Sequence, residues 1–158
     1  DVAIQMVPPN QPGLVQRHFI TIGMSPYASE DYIRRNGFPQ TPEDLDRHNL
    51  IVYGPAAPIK FPDANWLMSL GRDNQGVRQP SIYINSNLAM LHACKGGAGI
   101  ASLPDYMASP EPNLIRVLPG IEGPRISTYY VYPEALRNSK RITVLREFLL
   151  EQAAGTQF

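Results

Sequence analysis

The sequence predicts an α/β fold with largely parallel strand pairing, and three observations carry this expectation. Extended apolar runs alternate with helical stretches along most of the chain. Residues 82–107, IYINSNLAMLHACKGGAGIASLPDYM, read as a strand, an Asn-Ser-Asn cluster, an apolar helix, a glycine-rich stop and a second strand. The chain closes on an amphipathic helix, with Ile142, Leu145, Phe148 and Leu149 on one face and Arg141, Arg146, Glu147 and Glu151 elsewhere.

The elements follow in order. Residues 1–7 read as a buried strand with no helix before it, so the sequence reads as a piece whose upstream elements lie elsewhere. PPNQPG at 8–13 is a turn-rich break, and 14–24 is an extended run able to connect two lobes. Ser29 caps a helix over 30–36, with Glu30 and Asp31 in its first turn and Gly37 as its stop. Thr41 caps a second short helix, with Pro42 at its first position and Glu43 and Asp44 complementing its dipole. His48 falls near the C-terminal end of that helix, where positive charge is favoured. Residues 50–53 form a strand, and a proline-rich loop over 54–65 leads to Trp66, the only tryptophan. After a polar loop at 71–80 come strands at 82–84 and 100–103, a turn at Pro104-Asp105, and strands at 114–118 and 127–132. Ser139 caps the final helix, and 153–158 form a frayed tail.

At 158 residues with 43% hydrophobic composition, the chain is one ordinary domain or two small lobes with enough apolar mass for a core. Fourteen Lys+Arg balance fourteen Asp+Glu, so the sequence lacks the basic footprint of a nucleic-acid or anionic-membrane binder. One cysteine excludes an intrachain disulfide, and no apolar run is long enough to span a membrane; the cytoplasm is the simplest compartment.

The most informative chemistry is a binding signal. The Asn85-Ser86-Asn87 cluster places a helix N-terminus just beyond the carboxyl end of a strand, where the helix dipole and unpaired N–H groups favour a carboxylate or polar ligand. Asn85 or Ser86 serving only as an N-cap accounts for the same residues without a ligand. Catalytic readings fare worse. Ser86 and His92 are six residues apart on one helix and point to different faces, which disfavours a nucleophile–base pair. His18, His48 and His92 are dispersed, and His92 and Cys94 do not face one site, so no metal centre is expected. Gly96-Gly97-Ala98-Gly99 follows a helix and precedes a strand, the reverse of a dinucleotide-binding loop. Cys94 sits among Leu88, Met90, Leu91 and Ala93 as a buried inert thiol; a redox role requires an exposed, acidic thiol with a resolving partner.

A family resemblance then emerges from an ordered set of segments: DVAIQ at Asp1, GLVQRHF at Gly13, ASEDYIRRNG at Ala28, TPEDLDRHNLI at Thr41, Trp66, INSNLAMLHACKGGAGIASLPDYM at Ile84, LIRVLPG at Leu114, YYVYPEALRNS at Tyr129 and REFLLE in the last helix. In this order the chain resembles the second part of the effector-binding domain of LysR-type transcriptional regulators. The resemblance implies a two-lobed periplasmic-binding-protein-like fold of type 2, joined by crossing strands, with lobe I incomplete. Its expected parts are 1–20 in lobe I, 21–125 as lobe II, 126–152 returning to lobe I, and a 153–158 tail. It further implies a small-molecule effector in the interlobe cleft, no enzymatic activity and no cofactor. Promoter DNA would be contacted only through a helix-turn-helix absent from this chain, and the whole regulator would be a homo-oligomer, dimer or tetramer. Carried over residue by residue, the effector contacts are Asn85, Ser86 and Asn87, then Gln5 and Met6 at the end of the first strand, with Tyr53 and Trp66 as an apolar wall, although aromatics of that size are more often core residues than ligand contacts. Gln5 replaces the basic residue common at its position in the family, which argues against a strongly anionic inducer. The competing reading is a periplasmic-type solute-binding module, which an upstream signal peptide rather than a helix-turn-helix would favour.

Overall fold

The computed structural model describes residues 2–6, 11–57, 63–73 and 75–154. The chain divides into two compact units, residues 1–22 with 125–158 (unit 1) and residues 23–124 (unit 2). No helix among the described residues is long and apolar enough to cross a membrane.

Unit 1 contains β1 (Ala3–Gln5), the first part of β2 (Leu14–Ser29), β7 (Arg125–Pro133) and α4 (Lys140–Ala154). Strand β7 lies between β1 and β2, and pairs with β1 antiparallel, Ala3 opposite Val131. The core is aromatic: Tyr130, Tyr132 and Ile142 are buried, with Val2, Val15, Phe19, Leu136 and Leu149 packed on them. The buried Tyr130 hydroxyl avoids a desolvation penalty by donating to the Ile142 carbonyl at 3.0 Å. The amphipathic face expected of the last helix is only half buried. Ile142 and Leu149 enter the core, whereas Leu145 and Phe148 are 41% and 54% exposed. The expected tail is shorter than its sequence suggested, because Ala153 and Ala154 continue α4; residues 155–158 lie outside the described set.

Unit 2 takes the rest of β2, α1 (Glu30–Asn36), β3 (Leu50–Tyr53), β4 (Ile82–Ile84), α2 (Asn87–Lys95), β5 (Ile100–Pro104), α3 (Asp105–Ala108) and β6 (Leu114–Arg116). Strand order is β2-β5-β3-β4, with β6 also on β2. Pairing is mixed rather than largely parallel: β3 is parallel to both β4 and β5, but β2 runs antiparallel to β5 and β6. The sixteen-residue β2 is the cause, since the run expected at 14–24 continues unbroken to Ser29 and meets β5 head to tail. Ser29 ends the strand as the cap of α1, its Oγ accepting from the Tyr32 N–H at 3.2 Å. Gly37 stops that helix at φ 87°, a conformation open to glycine. The second helix expected after Thr41 is a 3₁₀ turn, Pro42–Arg47, with Asp44 Oδ2 accepting from the Thr41 and Gln40 N–H groups. The turn expected at Pro104-Asp105 is the short helix α3. Ala28, Tyr32, Leu45, Leu50, Val52, Leu67, Ile100, Val117 and Leu118 form the core.

Candidate functional site

Parallel pairing brings the carboxyl ends of β3 and β4 side by side, Tyr53 opposite Ile84. The ladder closes with the Gly54 N–H donating to the Ile84 carbonyl at 3.2 Å, and the chain then enters α2 at Asn87. Ser86 occupies the N-cap position with an extended backbone (φ −144°, ψ 130°), and its carbonyl accepts the first helical bond from Met90. Its side chain makes no capping hydrogen bond. Ser86 is therefore a cap by backbone position while its exposed hydroxyl remains outside the helix. The first-turn N–H groups of α2, which no helical carbonyl can satisfy, open at the same edge.

Tyr53 anchors this edge from below. Its side chain is 3% exposed and its hydroxyl donates to Asn87 Oδ1, fixing the first helical residue over β3. Burial, reinforced by the neighbouring Tyr106, pushes the Tyr53 phenol up to about 12, so it remains a donor at neutral pH; the Asn87 bond acts in the opposite sense. Asn85 is exposed and lies over Gly54: a Cβ there would stand 2.7 Å from Asn85 Oδ1. Gly54 thus provides the space in which the Asn85 amide rests.

Trp66 joins the same strand ends through a different device. Asn65 Oδ1 accepts from the Tyr53 N–H and its Nδ2 donates to the Tyr53 carbonyl, both at 2.9 Å, as a neighbouring strand would. This places Trp66, whose indole Nε1 donates to Ser102 Oγ on β5 at 2.8 Å. Its ring also lies against Gly123, where an added Cβ would stand 2.9 Å from the indole Cζ2. Beyond β5, the Tyr27 hydroxyl donates to Asp105 Oδ1 at 2.9 Å, and burial and that carboxylate both raise its pKa.

Of the residues expected from sequence, Tyr53, Asn85, Ser86 and Asn87 form one cluster, and Trp66 is tied to it through Asn65. Gln5 and Met6 belong to unit 1, at the end of β1. Tyr53 is buried and Trp66 is partly buried against the core, the placement the core alternative for these aromatics expects. Sequence reasoning missed Asn65 and Ser102. The only trace of Asn65 was a turn-forming residue beside a tryptophan, since its partner is twelve positions away.

His48 departs from its expectation. It occupies the C-cap of the 3₁₀ turn, but burial lowers its pKa, outweighing Asp44. Its Nδ1 is hydrogen-bonded to the Tyr32 hydroxyl at 3.2 Å, and that hydroxyl also accepts from the Asn49 N–H at 2.8 Å. Cys94 is fully buried, its Sγ donating to the Tyr27 carbonyl at 3.2 Å, and burial pushes its thiol up to about 12. No group of three or more His, Cys, Asp or Glu among the described residues is placed to hold a metal ion.

The described edge offers hydrogen-bond donors and amides around a helix start, an arrangement that can hold a carboxylate or polar group. The chain is 34% identical over 139 residues to an uncharacterized HTH-type transcriptional regulator of Haemophilus influenzae, covering 84% of this chain and 46% of that protein. It is 30% identical over 148 residues to the uncharacterized HTH-type transcriptional regulator YhjC of Escherichia coli, covering 87% of this chain and 46% of the relative. The chain thus spans about half the length of these relatives, which are named as transcriptional regulators and not as enzymes. Among solved structures, the regulatory domain of CrgA, a LysR-type transcriptional regulator from Neisseria meningitidis, matches with a TM-score of 0.77 at 24% identity, over 96% of this chain and 74% of that one. The regulatory domain of AphB from Vibrio vulnificus matches with a TM-score of 0.69 at 20% identity, over 96% and 75%. These likenesses bear out the expected α/β fold of the periplasmic-binding-protein-like kind. A family model described as LysR substrate binding domain matches residues 1–154, and the chain belongs to that family.

Proposed function

We propose that this chain is the effector-binding regulatory part of a bacterial, cytoplasmic LysR-type transcriptional regulator, and that unit 2 holds the effector at the α2 start, against Asn85, Ser86 and Asn87. The observation that carries the reading is Ser86: it sits at the N-cap, exposed, yet its hydroxyl makes no capping bond. A hydroxyl in that position, beside first-turn N–H groups and a Tyr53-anchored Asn87, is suited to receive a carboxylate or polar head. Trp66 supports the wall of this edge through Asn65 and Ser102. Gln5 and Met6 as further contacts, promoter binding through a helix-turn-helix outside this chain, and a dimeric or tetrameric regulator rest on the family membership alone.

A thermal-shift screen of small carboxylic acids and polar metabolites tests the site. At least one compound should raise the melting temperature of the wild-type chain, and Ser86→Gly should abolish that rise. The substitution itself should cost only a few tenths of a kcal/mol, the usual difference between Ser and Gly at a cap. A ligand-induced rise that survives Ser86→Gly undiminished rejects the site.

A further inference from the structure

Nine asparagines occur in the chain, and Asn36 alone is followed by glycine. The distinction is chemical. An asparagine side-chain carbonyl lies within reach of the next residue's backbone nitrogen, and a Cβ on that residue hinders the approach; glycine has none. Asn85 and Asn138 precede serine, and the other six precede larger residues.

Asn36 is the last residue of α1, and both it and Gly37 are exposed. Two hydrogen bonds hold the atoms that would react. Asn36 Nδ2 donates to the Tyr32 carbonyl at 2.9 Å, and the Gly37 N–H donates to the Ile33 carbonyl at 2.8 Å. A Cβ added at Gly37 would meet nothing within 4 Å, so the surroundings crowd the bond no further. Both hydrogen bonds belong to the final turn of a seven-residue helix, and helix ends are the parts that open most readily.

We propose that the Asn36–Gly37 bond is a site of spontaneous deamidation, gated by opening of the last turn of α1. The Gly37 nitrogen attacks Asn36 Cγ; the new C–N bond forms, the Cγ–Nδ2 bond breaks, and Nδ2 leaves as ammonia with the Gly37 amide proton. Water then opens the cyclic imide. Addition at Cγ gives aspartate, and addition at the Asn36 main-chain carbonyl gives isoaspartate, with the chain rerouted through the former side chain. Nothing is oxidised or reduced. Either product loses the donor to the Tyr32 carbonyl and adds a negative charge at the C-terminal end of α1, where the helix dipole disfavours it. The same turn carries Tyr32, which is 1% exposed and accepts the Asn49 N–H just before β3, so conversion should lower the stability of unit 2.

The test incubates the chain in mildly alkaline buffer, folded and in urea, and locates products by peptide mass spectrometry with fragmentation that separates isoaspartate from aspartate. Asn36 should be the first asparagine converted under both conditions. Conversion should be at least about fivefold slower in the folded chain, the factor set by two hydrogen bonds that must open first. Gly37→Ala should slow it in urea, where a folding defect cannot contribute. Asn36→Asp, which reproduces one product, should melt below the wild type, and Asn36→Gln, which keeps a neutral amide, should melt closer to it. Earlier conversion at Asn85 or Asn138, equal rates in the folded and unfolded chain, or an Asn36→Asp melting temperature at or above that of the wild type would overturn the proposal.

Discussion

Replacing Arg78 by Met should destabilise the chain by about 3 kcal/mol, the net of about 1 kcal/mol for each of three hydrogen bonds to carbonyls. The side chain is 4% exposed. Its Nη1 donates to the Leu67 and Leu70 carbonyls at 3.1 and 2.6 Å, and its Nη2 to the Pro42 carbonyl at 2.8 Å. The Nε contact to Asp46, at 2.6 Å, adds little, because that carboxylate is 38% exposed and keeps Arg72 at 2.9 Å. Methionine retains much of the apolar stem, and relief of the buried charge's own desolvation offsets part of the loss, so the total should not approach the full cost of orphaning three carbonyls. Urea unfolding measures the difference, with Arg72→Met as the comparison on the same carboxylate, expected to cost at most about 1 kcal/mol. The Arg78 bonds also tie the Pro42–Arg47 turn to the turn bearing Trp66, so near-ultraviolet circular dichroism should lose intensity in Arg78→Met alone. Equal destabilisation by the two variants would refute the view that the carbonyl bonds, rather than the ion pair, carry the stabilisation.

Other outcomes follow from features of unit 2. The buried, high-pKa Cys94 thiol should resist a disulfide reagent in the native chain and react only on unfolding; native reactivity at a free-thiol rate would contradict its burial. His48 is held neutral, its pKa below the ordinary 6.5 of the unfolded chain, so its contribution is fully present above that value and declines as pH falls through the lower folded pKa. Melting temperatures recorded downward from pH 7 should therefore fall less steeply in His48→Gln than in the wild type, and parallel curves would exclude the effect. Gly54→Ala should displace the exposed Asn85 amide at a stability cost within about 0.5 kcal/mol, yet weaken any ligand found to depend on Ser86; unchanged affinity would remove Asn85 from the contact set.

Local chemistry was legible where it acted over short separations. Ser29 as a cap, Gly37 as a stop, the start of α2 at Asn87 and the three strands around it follow from patterns spanning a few residues. Pairing direction was not legible in the same way. Nothing within 14–29 records that it forms a single strand running against β5, because that depends on partners about eighty positions away. The last helix shows a related limit: periodicity marks Leu145 and Phe148 as apolar-face residues but does not say which residues of that face the rest of the unit packs against. At the candidate site, residue types point to Asn85, Ser86 and Asn87, while the side chains packed around them come from loops and strand ends. Residue type leaves Tyr53 open between core and wall, and the hydrogen bond that ties it to Asn87 spans thirty-four positions.

Asn65 uses both ends of its amide on one residue of β3, doing with a side chain what an adjoining strand does with a backbone. The register between Tyr53 and the Trp66 turn is consequently independent of how many residues join them. A residue inserted between them adds mainly the weak, logarithmic entropy of a longer loop, provided the amide at 65 and the contacts of Gly54, Ala57 and Asp63 are kept. Aspartate, nearly identical in shape, lacks the donor and would set a carboxylate against the Tyr53 carbonyl. In this chain the amide at 65, rather than the length of the proline-rich stretch before it, sets where Trp66 stands against β3.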